Sequence, residues 1–308
     1  MTADLSKGTT RMKLKRILAA AAAALSLGTS ACATVETPPA GAVPGPALWQ
    51  VGDKDTTIYL FGTVHALPAS TTWFDGRIER AFNAADEMVT EIDVSNASAS
   101  TASLQAASAL PQGETLRAMM TTENKRQFEE ALVGLGLPVD SLDRYEPWFA
   151  AMTLSLLPLV RQGYDTQSGV ELSLNGRAGE AKKRGALETI DQQVALFDTL
   201  PQDAQLAFLD ETVEKLDEAK PNLDAMVAEW LKGDAAMLAE LMNQELTDPI
   251  LRDRLLTERN RNWAGWIESR LDQPGTVFIA VGAGHLAGVG SVQDQLRQRG
   301  IRVKRIWQ

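Results

Sequence analysis

The feature that most constrains the fold is a pair of apolar, β-branched segments near opposite ends of the chain. Thr57–Phe61 has the sequence Thr-Ile-Tyr-Leu-Phe, and Thr276–Val281 has the sequence Thr-Val-Phe-Ile-Ala-Val. Short apolar runs of this composition are typical of buried strands. A glycine follows each run directly. Both ends of this chain of 308 residues therefore supply strands, which we expect to lie in one sheet.

Weaker signals fill in the rest of the chain. Leu48–Val51, Glu87–Ile92 and Ile301–Ile306 are predicted to be further strands. Asp75 and Ser291 are suited to cap the helices that follow them. Apolar residues at helical spacing predict helices at 78–86, 122–134, 145–160, 168–184, 202–219, 222–246, 248–271 and 291–299. We therefore predict an α/β fold, with a central mixed sheet, flanking helices and a helical insertion in the middle.

Residues 1–32 are predicted to be an export signal. Lysine and arginine follow Met12, and the Ala/Leu-rich segment Ile17–Leu27 comes next. Such an apolar segment is typical of a signal peptide and is too short to span a bilayer as a helix. Two cleavage sites are possible: before a lipidated Cys32, as in a bacterial lipoprotein, or after Ala31-Cys32-Ala33. The first is favoured because the only cysteine would otherwise be an unpaired thiol in an oxidising compartment. We therefore expect a periplasmic protein, anchored to the membrane only through Cys32.

The remaining chain divides into a tether and one domain. Residues 33–47 are rich in proline and glycine, which predicts an extended tether without a core. Residues 48–308 are predicted to form the folded domain. The formal net charge of the chain is −10, which argues against a nucleic-acid partner because such proteins usually carry a basic surface. No H-E-x-x-H or G-x-S-x-G motif occurs, so an ordinary zincin or a serine hydrolase of the common type is not indicated.

The only two histidines of the chain share one local context. His65 ends the segment Gly62-Thr63-Val64-His65, and His285 ends Gly282-Ala283-Gly284-His285. Each therefore follows a buried strand and has glycine three positions before it. Since glycine is roughly 7% of ordinary sequence, this coincidence would arise by chance about once in 200. Ligand sites gather at the carboxyl ends of parallel strands, so both imidazoles are expected at one edge of the sheet.

Glu91 is a candidate for a third ligand at the same edge. It lies at the carboxyl end of the predicted strand Glu87–Ile92. Together, His65, Glu91 and His285 would form a His₂Glu metal set with one open position for water. The alternative for each residue is structural: a hydrogen-bonded histidine, or a solvated carboxylate at a strand end. Asp93 is an alternative carboxylate if the strand ends early.

The paired Gly-x-x-His segments resemble the signatures of the TraB/GumN family, which is similar to the Tiki metalloproteases and to PrgY. Shorter matches follow in the same order along residues 48–308: Glu91, Pro147-Trp148, Gly169-Val170-Glu171, Leu187-Glu188-Thr189 with Gln193, and Arg259-Asn260. The resemblance implies an EreA/ChaN-like fold, whose relatives include esterases and haem-handling lipoproteins. It also implies a divalent ion, manganese or cobalt, held by the two histidines and the glutamate in a peptidase.

Four further residues are candidates for catalytic roles. Glu171 and Glu188 are candidates for the general base, and Glu171 could alternatively be a solvated helix residue or a further ligand. Arg259 and Asn260 are candidates for stabilising an oxyanion, with an exposed helix face as the alternative. The sequence thus favours a metal-dependent hydrolase acting on peptides or proteins, with zinc as another possible metal. Two alternatives stay open: a metal- or haem-binding lipoprotein without catalysis, and a metal-free esterase-like hydrolase with histidine as base.

Overall fold

The computed structural model describes residues 39–93, 97–245 and 249–307. The predicted signal peptide, including Cys32, and the first part of the predicted tether lie outside these residues. Eight strands are present in the described part of the chain: β1 (Leu48–Gly52), β2 (Thr56–Thr63), β3 (Leu67–Pro68), β4 (Glu87–Thr90), β5 (Tyr164–Asp165), β6 (Lys183–Ala186), β7 (Gly275–Gly282) and β8 (Val303–Ile306).

Six of these strands form one mixed sheet in the order β6-β4-β7-β2-β1-β8, while β3 and β5 pair separately. The pairs β6–β4, β4–β7 and β7–β2 are parallel, and β1 runs antiparallel to both β2 and β8. The parallel pairing of β2 with β7 extends from Thr56↔Gly275 to Thr63↔Gly282. The two apolar segments at opposite ends of the chain are therefore neighbours in the centre of the sheet. This arrangement confirms the predicted α/β class with a central mixed sheet.

The described helices are α1 (Gly76–Ala84), α2 (Ala97–Ala107), α3 (Leu116–Met119), α4 (Thr122–Gly134), α5 (Pro147–Arg161), α6 (Val170–Arg177), α7 (Ile190–Asp198), α8 (Gln202–Glu214), α9 (Ala219–Lys232), α10 (Ala235–Glu245), α11 (Pro249–Arg252), α12 (Glu258–Arg270) and α13 (Val292–Gln298). Short 3₁₀ turns cover Thr166–Ser168 and Ala283–Leu286, and a π-helical turn at Asp253–Thr257 joins α11 to α12. The predicted caps are present, because Asp75 and Ser291 accept backbone hydrogen bonds at the start of α1 and α13. No helix among the described residues combines the length and apolar content needed to cross a membrane.

Three of the predicted helices are wrong in their extent, and the helix predicted over 202–219 ends at Glu214. The helix predicted over 168–184 ends with α6, and the chain then enters β6, an edge strand paired only with β4. The polar sequence Lys-Arg-Gly-Ala of β6 lacks the apolar alternation of a strand, so only pairing with β4 identifies it. The helix predicted over 222–246 is divided at Gly233, whose φ of 75° ends α9 in the left-handed conformation.

The sheet is buried on both faces, which accounts for the continuous apolar runs of its central strands. Phe61 and Phe278 pack with Trp73 and Trp230 on one face. On the other face, Ile58, Leu60, Val277 and Ile279 pack against α12 and α13. A third cluster, which includes residues of α4, α5 and α8, forms the core of the helical insertion. The insertion is therefore a packed helical layer that also returns β6 to the sheet.

Candidate functional site

The parallel strands β6, β4, β7 and β2 have their carboxyl ends at the same end of the sheet. Each is followed by a histidine or a glutamate. His65 lies two residues after β2, and Glu91 directly follows β4. Glu188 lies two residues after β6, and His285 belongs to the 3₁₀ turn after β7. The carboxyl ends of parallel strands place these four side chains side by side. The two histidines thus share one edge as their motifs predicted, while their role as metal ligands stays a prediction.

Gly282 lies where the histidines and the glutamate converge. A Cβ atom at this position would be 3.1 Å from Glu91 Oε1, 3.6 Å from His285 Cδ2 and 3.8 Å from His65 Nε2. The Gly282 amide donates a hydrogen bond of 2.7 Å to Glu91 Oε1. Glycine here lets the backbone approach the carboxylate closely and leaves open the space between the three side chains. His285 Nε2 is 3.8 Å from Glu91 Oε1.

Asn260 fixes the tautomer of His285. The Asn260 Nδ2 group donates to the Gly290 carbonyl at 2.9 Å, so Oδ1 faces the ring and accepts from His285 Nδ1 at 2.7 Å. Nε2 must then carry the lone pair, and it accepts from Arg259 Nη1 at 3.1 Å. Burial lowers the pKa of His285 to about 3, which keeps the imidazole neutral. Asn260, a candidate oxyanion donor, is instead used by the structure to orient His285.

Glu171 orients His65 in the same manner. The Oε1 atom of Glu171 accepts from His65 Nδ1 at 2.7 Å and from the Thr63 hydroxyl at 2.5 Å. Nε2 of His65 is therefore the nitrogen directed toward Gly282. Burial would raise the pKa of Glu171, but His65 and Thr63 outweigh it and lower that pKa. Glu171 in turn raises the pKa of His65, although this side chain is 72% exposed, so water screens the pair.

The start of α6 is packed directly against the His65 backbone at Gly169. The Val170 amide donates to the Val64 carbonyl at 3.0 Å. A Cβ atom on Gly169 would overlap the His65 carbonyl oxygen and lie 2.9 Å from the Thr166 oxygen. This close approach brings Glu171, the second residue of α6, within reach of His65.

We expect Gly169→Ala to destabilise the protein by about 1–3 kcal/mol, because the overlap involves backbone atoms that cannot turn away. Gly176→Ala is the matched control, since Gly176 lies in the same helix and nothing lies within 4 Å of the added Cβ. Alanine should stabilise that helical position by roughly 0.5–1 kcal/mol. Urea unfolding of both variants measures the difference, and equal stabilities would contradict the packing of α6 against His65.

Arg259 connects the acidic residues of the site to His285. Its Nη2 donates to Glu91 Oε2 at 2.6 Å and to Glu188 Oε2 at 2.9 Å, and its Nε donates to Glu188 Oε1 at 2.9 Å. Its Nη1 contacts His285 Nε2 and the Leu255 carbonyl, each at 3.1 Å. A guanidinium has five N–H donors, and these contacts engage all of them. In this conformation Arg259, another candidate oxyanion donor, has no donor left for a substrate.

Glu188 is held on several sides by its neighbours. Besides Arg259, Trp263 Nε1 donates to Glu188 Oε1 at 2.9 Å. Gln193 Nε2 bridges the two carboxylates, at 2.9 Å from Glu91 Oε2 and 3.3 Å from Glu188 Oε2. The contacts of Trp263 and Gln193 with Glu188 were not predicted from the sequence. Trp263 has the helical spacing of a core residue. Gln193 was noted only as one of the residues that match the family.

The charged side chains at the site are paired with one another, but their charges do not cancel. Burial alone would raise the pKa of Glu91, but the Arg259 guanidinium and the Gly282 amide beside it hold that pKa below its ordinary value. Burial would lower the pKa of Arg259, but its bonds to Glu188 and Glu91 outweigh this effect. The site therefore contains two carboxylates sharing one guanidinium, together with a neutral His285.

The nitrogen and oxygen donors around Gly282 suit a divalent metal ion. Both imidazoles direct Nε2 inward, and an oxygen acceptor holds the opposite nitrogen of each ring, as is usual for histidines that bind metals. The described residues contain no group of three or more His, Cys, Asp or Glu side chains already spaced to hold an ion. The guanidinium of Arg259 is bonded to both His285 Nε2 and Glu91.

Comparison with known proteins identifies a family and several relatives. The TraB/PrgY/gumN family matches residues 47–305. The uncharacterized protein YbaP of Escherichia coli (strain K12) is 26% identical over 245 residues, covering 78% of this chain and 87% of YbaP. An uncharacterized protein of Treponema pallidum (strain Nichols) is 22% identical over 268 residues, covering 82% of this chain and 80% of that protein.

A further relative has a described activity. The metalloprotease TIKI2 of Danio rerio is 25% identical over 301 residues, covering 80% of this chain and 58% of TIKI2. No solved structure matches the chain. The family match spans the sheet and all of the site residues described above. The chain therefore belongs to the TraB/PrgY/gumN family.

Proposed function

We propose that this protein is a metal-dependent hydrolase that cleaves peptide bonds. The observation that carries the proposal is the convergence of His65 Nε2, the His285 ring and Glu91 Oε1 on the open space that a Cβ atom on Gly282 would fill. Two imidazole nitrogens and a carboxylate oxygen form a donor set found in catalytic metal sites, which keep an open position for water. Similarity to the metalloprotease TIKI2 supports the same class of reaction.

We propose that His65, His285 and Glu91 hold the ion. Manganese and cobalt are the metals that family resemblance favours, and zinc also suits this donor set. Because one lone pair cannot serve two partners, ion binding at His285 Nε2 requires the Arg259 Nη1 hydrogen bond to be released. Arg259 keeps its other bonds to Glu91 and Glu188, so these carboxylates stay oriented.

The bound ion would supply a water of lowered pKa and would polarise the scissile carbonyl. Asn260 and Glu171 would hold the two imidazoles in the tautomer that presents Nε2. The side chain of His65 is 72% exposed, so we propose that the substrate enters the site beside it. Of the two candidates for proton transfer, Glu171 is favoured over Glu188. Both oxygens of Glu188 are bonded to Arg259 and its neighbours, whereas the side-chain bonds described for Glu171 end on Oε1 alone.

The test is a peptide-library digest by the purified protein after chelation, with manganese, cobalt or zinc added back separately. We expect no cleavage after chelation and recovery with at least one metal. His285→Ala is the matched loss-of-site variant and should not recover, while Val133→Ala, an exposed position on α4, should behave as wild type. Binding of metal or haem without any turnover would contradict hydrolysis and favour a binding protein.

A second candidate, a metal-free hydrolase, rests on the His65–Glu171 pair. A buried carboxylate that holds Nδ1 of an exposed imidazole is also the arrangement of a histidine general base. The same digest separates the two mechanisms, since cleavage that is unaffected by chelator and lost in Glu171→Gln would favour the metal-free one.

We also propose that the protein is exported and anchored in the periplasm through Cys32. This proposal rests on the sequence of residues 1–32 alone. Cys32→Ser should move the protein from the membrane fraction to the soluble fraction of fractionated cells. Retention in the membrane fraction would show that no lipid on Cys32 anchors it.

A further inference from the structure

The edge strand β6 (Lys183–Ala186) has one free side. It pairs with β4, and no second strand pairs with it in the described part of the chain. In a parallel pair, successive residues direct their backbone N–H and C=O groups alternately toward the partner strand and away from it. Lys183 and Leu187 donate to carbonyls on the β4 side. Arg184 and Ala186 therefore direct their backbone groups away from β4.

These outward groups are open to a partner. No backbone hydrogen bond from another described segment reaches Arg184 or Ala186. The first two residues of β6 are exposed and the last two are partly exposed, so the edge is accessible to solvent. A free edge of this kind is a template for pairing with another chain in extended conformation.

The free edge of β6 leads to the candidate site. The pairing with β4 continues beyond Ala186 to Glu188, whose amide donates to the Glu91 carbonyl at 2.8 Å. Neighbouring strands are about 4.8 Å apart, so a chain added beside β6 would lie roughly 14 Å from β7, which ends at the site. About four extended residues span that distance. A peptide bound at this edge can therefore continue into the site.

The free edge is basic in a chain that is acidic overall. Residues 177–184 contain four basic residues and one acidic residue, whereas the net charge of the chain is −10. The Arg184 guanidinium bonds to neutral oxygens, which are the side chain and carbonyl of Asn175 and the carbonyl of Lys182. These contacts fix the position of the Arg184 charge without neutralising it.

Lys183 supplies a second charge at the edge. Consecutive residues of a strand lie on opposite faces of the sheet, so Lys183 and Arg184 place one cation on each face. Glu87 lies opposite Lys183 in β4 but pairs with Arg270 at 3.6 Å. Two adjacent acidic residues on an added strand would also lie on opposite faces, one near each cation. A second copy of β6 would instead bring like charges together, which disfavours pairing between two copies of the chain.

We propose that the free edge of β6 binds the peptide substrate as an added strand and favours extended segments with adjacent acidic residues. The proposal rests on the proposed peptidase function and specifies the class of substrate. The outward backbone groups of Arg184 and Ala186 supply hydrogen bonds that any extended peptide can make. The charges of Lys183 and Arg184 supply the preference for acidic side chains.

The test measures peptide binding in the presence of chelator, separately from cleavage. The fluorescein-labelled peptides Thr-Val-Glu-Glu-Val-Thr and Thr-Val-Lys-Lys-Val-Thr are titrated into the full-length protein, and polarisation is recorded. We expect the glutamate peptide to bind about tenfold more tightly than the lysine peptide, because two attractive charge pairs replace two repulsive ones. Equal binding of the two peptides, or no binding of the glutamate peptide, would overturn the proposal.

N-methylated peptides test the pairing of the main chain. The glutamate peptide is methylated on one or the other set of alternate amides, because only one set faces β6 in an added strand. We expect one of the two forms to bind about tenfold more weakly than the unmodified peptide, since it loses its hydrogen bonds to the edge. Unchanged binding of both forms would show that the peptide is not an added strand.

Two variants locate the binding on β6. Ala186→Pro removes an outward N–H group but none of the donors to β4, and we expect it to weaken binding of the glutamate peptide about tenfold. Lys183→Glu changes an exposed side chain, so it decides the test even if the proline variant unfolds; it should reduce the preference for the glutamate peptide to about twofold or less. Lys304→Glu, an exposed position on β8 at the opposite edge of the sheet, is the matched control and should keep the full preference. Wild-type binding by both β6 variants would overturn the proposal.

The outcomes distinguish this inference from the proposed function. Binding that depends on β6, without cleavage under any metal, would leave the edge site standing and contradict the peptidase. Metal-dependent cleavage that is the same in wild type, Ala186→Pro and Lys183→Glu, with no preference for acidic peptides, would leave the peptidase standing and overturn the edge site.

Discussion

Glu91→Gln is expected to abolish metal-dependent cleavage and to weaken metal binding by at least about 100-fold. Changes of residues that only orient metal ligands already cost about 10–100-fold, and Glu91 is itself the proposed anionic ligand. Glutamine preserves the shape and can still accept the Gly282 amide hydrogen bond, but its NH₂ group cannot accept from Arg259 and Gln193, so the variant removes the charge together with those two hydrogen bonds. Isothermal titration with manganese and cobalt measures the affinity, and the peptide digest measures the activity.

Asp93→Asn is the matched control for this substitution. Glu91 directly follows β4 and is buried, whereas Asp93 lies two residues later and is exposed. We expect the Asp93 variant to stay within about threefold of wild type in metal affinity, as for an exposed residue outside the ligand shell. Equal losses in both variants would mean that Glu91 has no special role. Wild-type affinity in Glu91→Gln would contradict the His₂Glu set.

Arg259→Met is expected to give the largest loss of stability, about 3–5 kcal/mol, because it leaves two largely buried carboxylates without their cation. The side chains of Glu91 and Glu188 are only 11% and 12% exposed. Methionine has a similar length but cannot donate hydrogen bonds, so Glu91, Glu188 and His285 all lose a partner. Urea unfolding at neutral pH measures the free-energy difference.

The loss of stability in Arg259→Met should become smaller as the pH falls. The folded-state pKa of Glu91 is lowered from 4.5 to about 2, so its contribution to stability is present above pH 4.5 and is lost as the pH falls toward 2. Without Arg259 this contribution becomes smaller, and the difference between variant and wild type should shrink over the same range. A deficit that grows on acidification would contradict the pairing.

Arg126→Met is the control for losing an arginine that pairs with two carboxylates at the surface. Arg126 contacts Glu123 and Glu130 at 2.6 Å each, but its side chain is 53% exposed. Exposed ion pairs contribute little, so we expect a loss under about 1 kcal/mol. Similar losses for both arginines would show that burial of the site carboxylates has little energetic effect.

The strands and turns that carry the two histidines could be predicted from the sequence, because their signals depend only on neighbouring residues. Apolar strands followed by glycine can be recognised without knowing their partners, and His65 and His285 lie two and three residues after the ends of such strands. The caps at Asp75 and Ser291 are also local, because a side chain there bonds to amides within three residues. These features predicted the fold class and the sheet edge that carries the site.

The orientation of the side chains could not be predicted in this way. Glu171 was a candidate base or ligand, and the sequence did not predict that the approach of Gly169 to the His65 backbone directs its Oε1 at His65 Nδ1. Asn260 and Arg259 were candidate oxyanion donors, but their donors and acceptors are engaged by His285, Glu91, Glu188 and two backbone carbonyls. Hydrogen-bond partners from distant segments decide these roles, and hydrophobic periodicity carries no information about them.

The strand β6 is a feature of the fold that likewise could not be predicted from the sequence. Its polar sequence favoured the end of a helix, but the exposed edge of β4 offers a row of backbone groups that β6 pairs with. The sequence by itself thus determined the central strands, the glycine turns and the residue types at the sheet edge, because those depend on local burial and backbone geometry. Only the tertiary structure decided the edge strand and the network around Arg259, because both depend on partners far away in the chain.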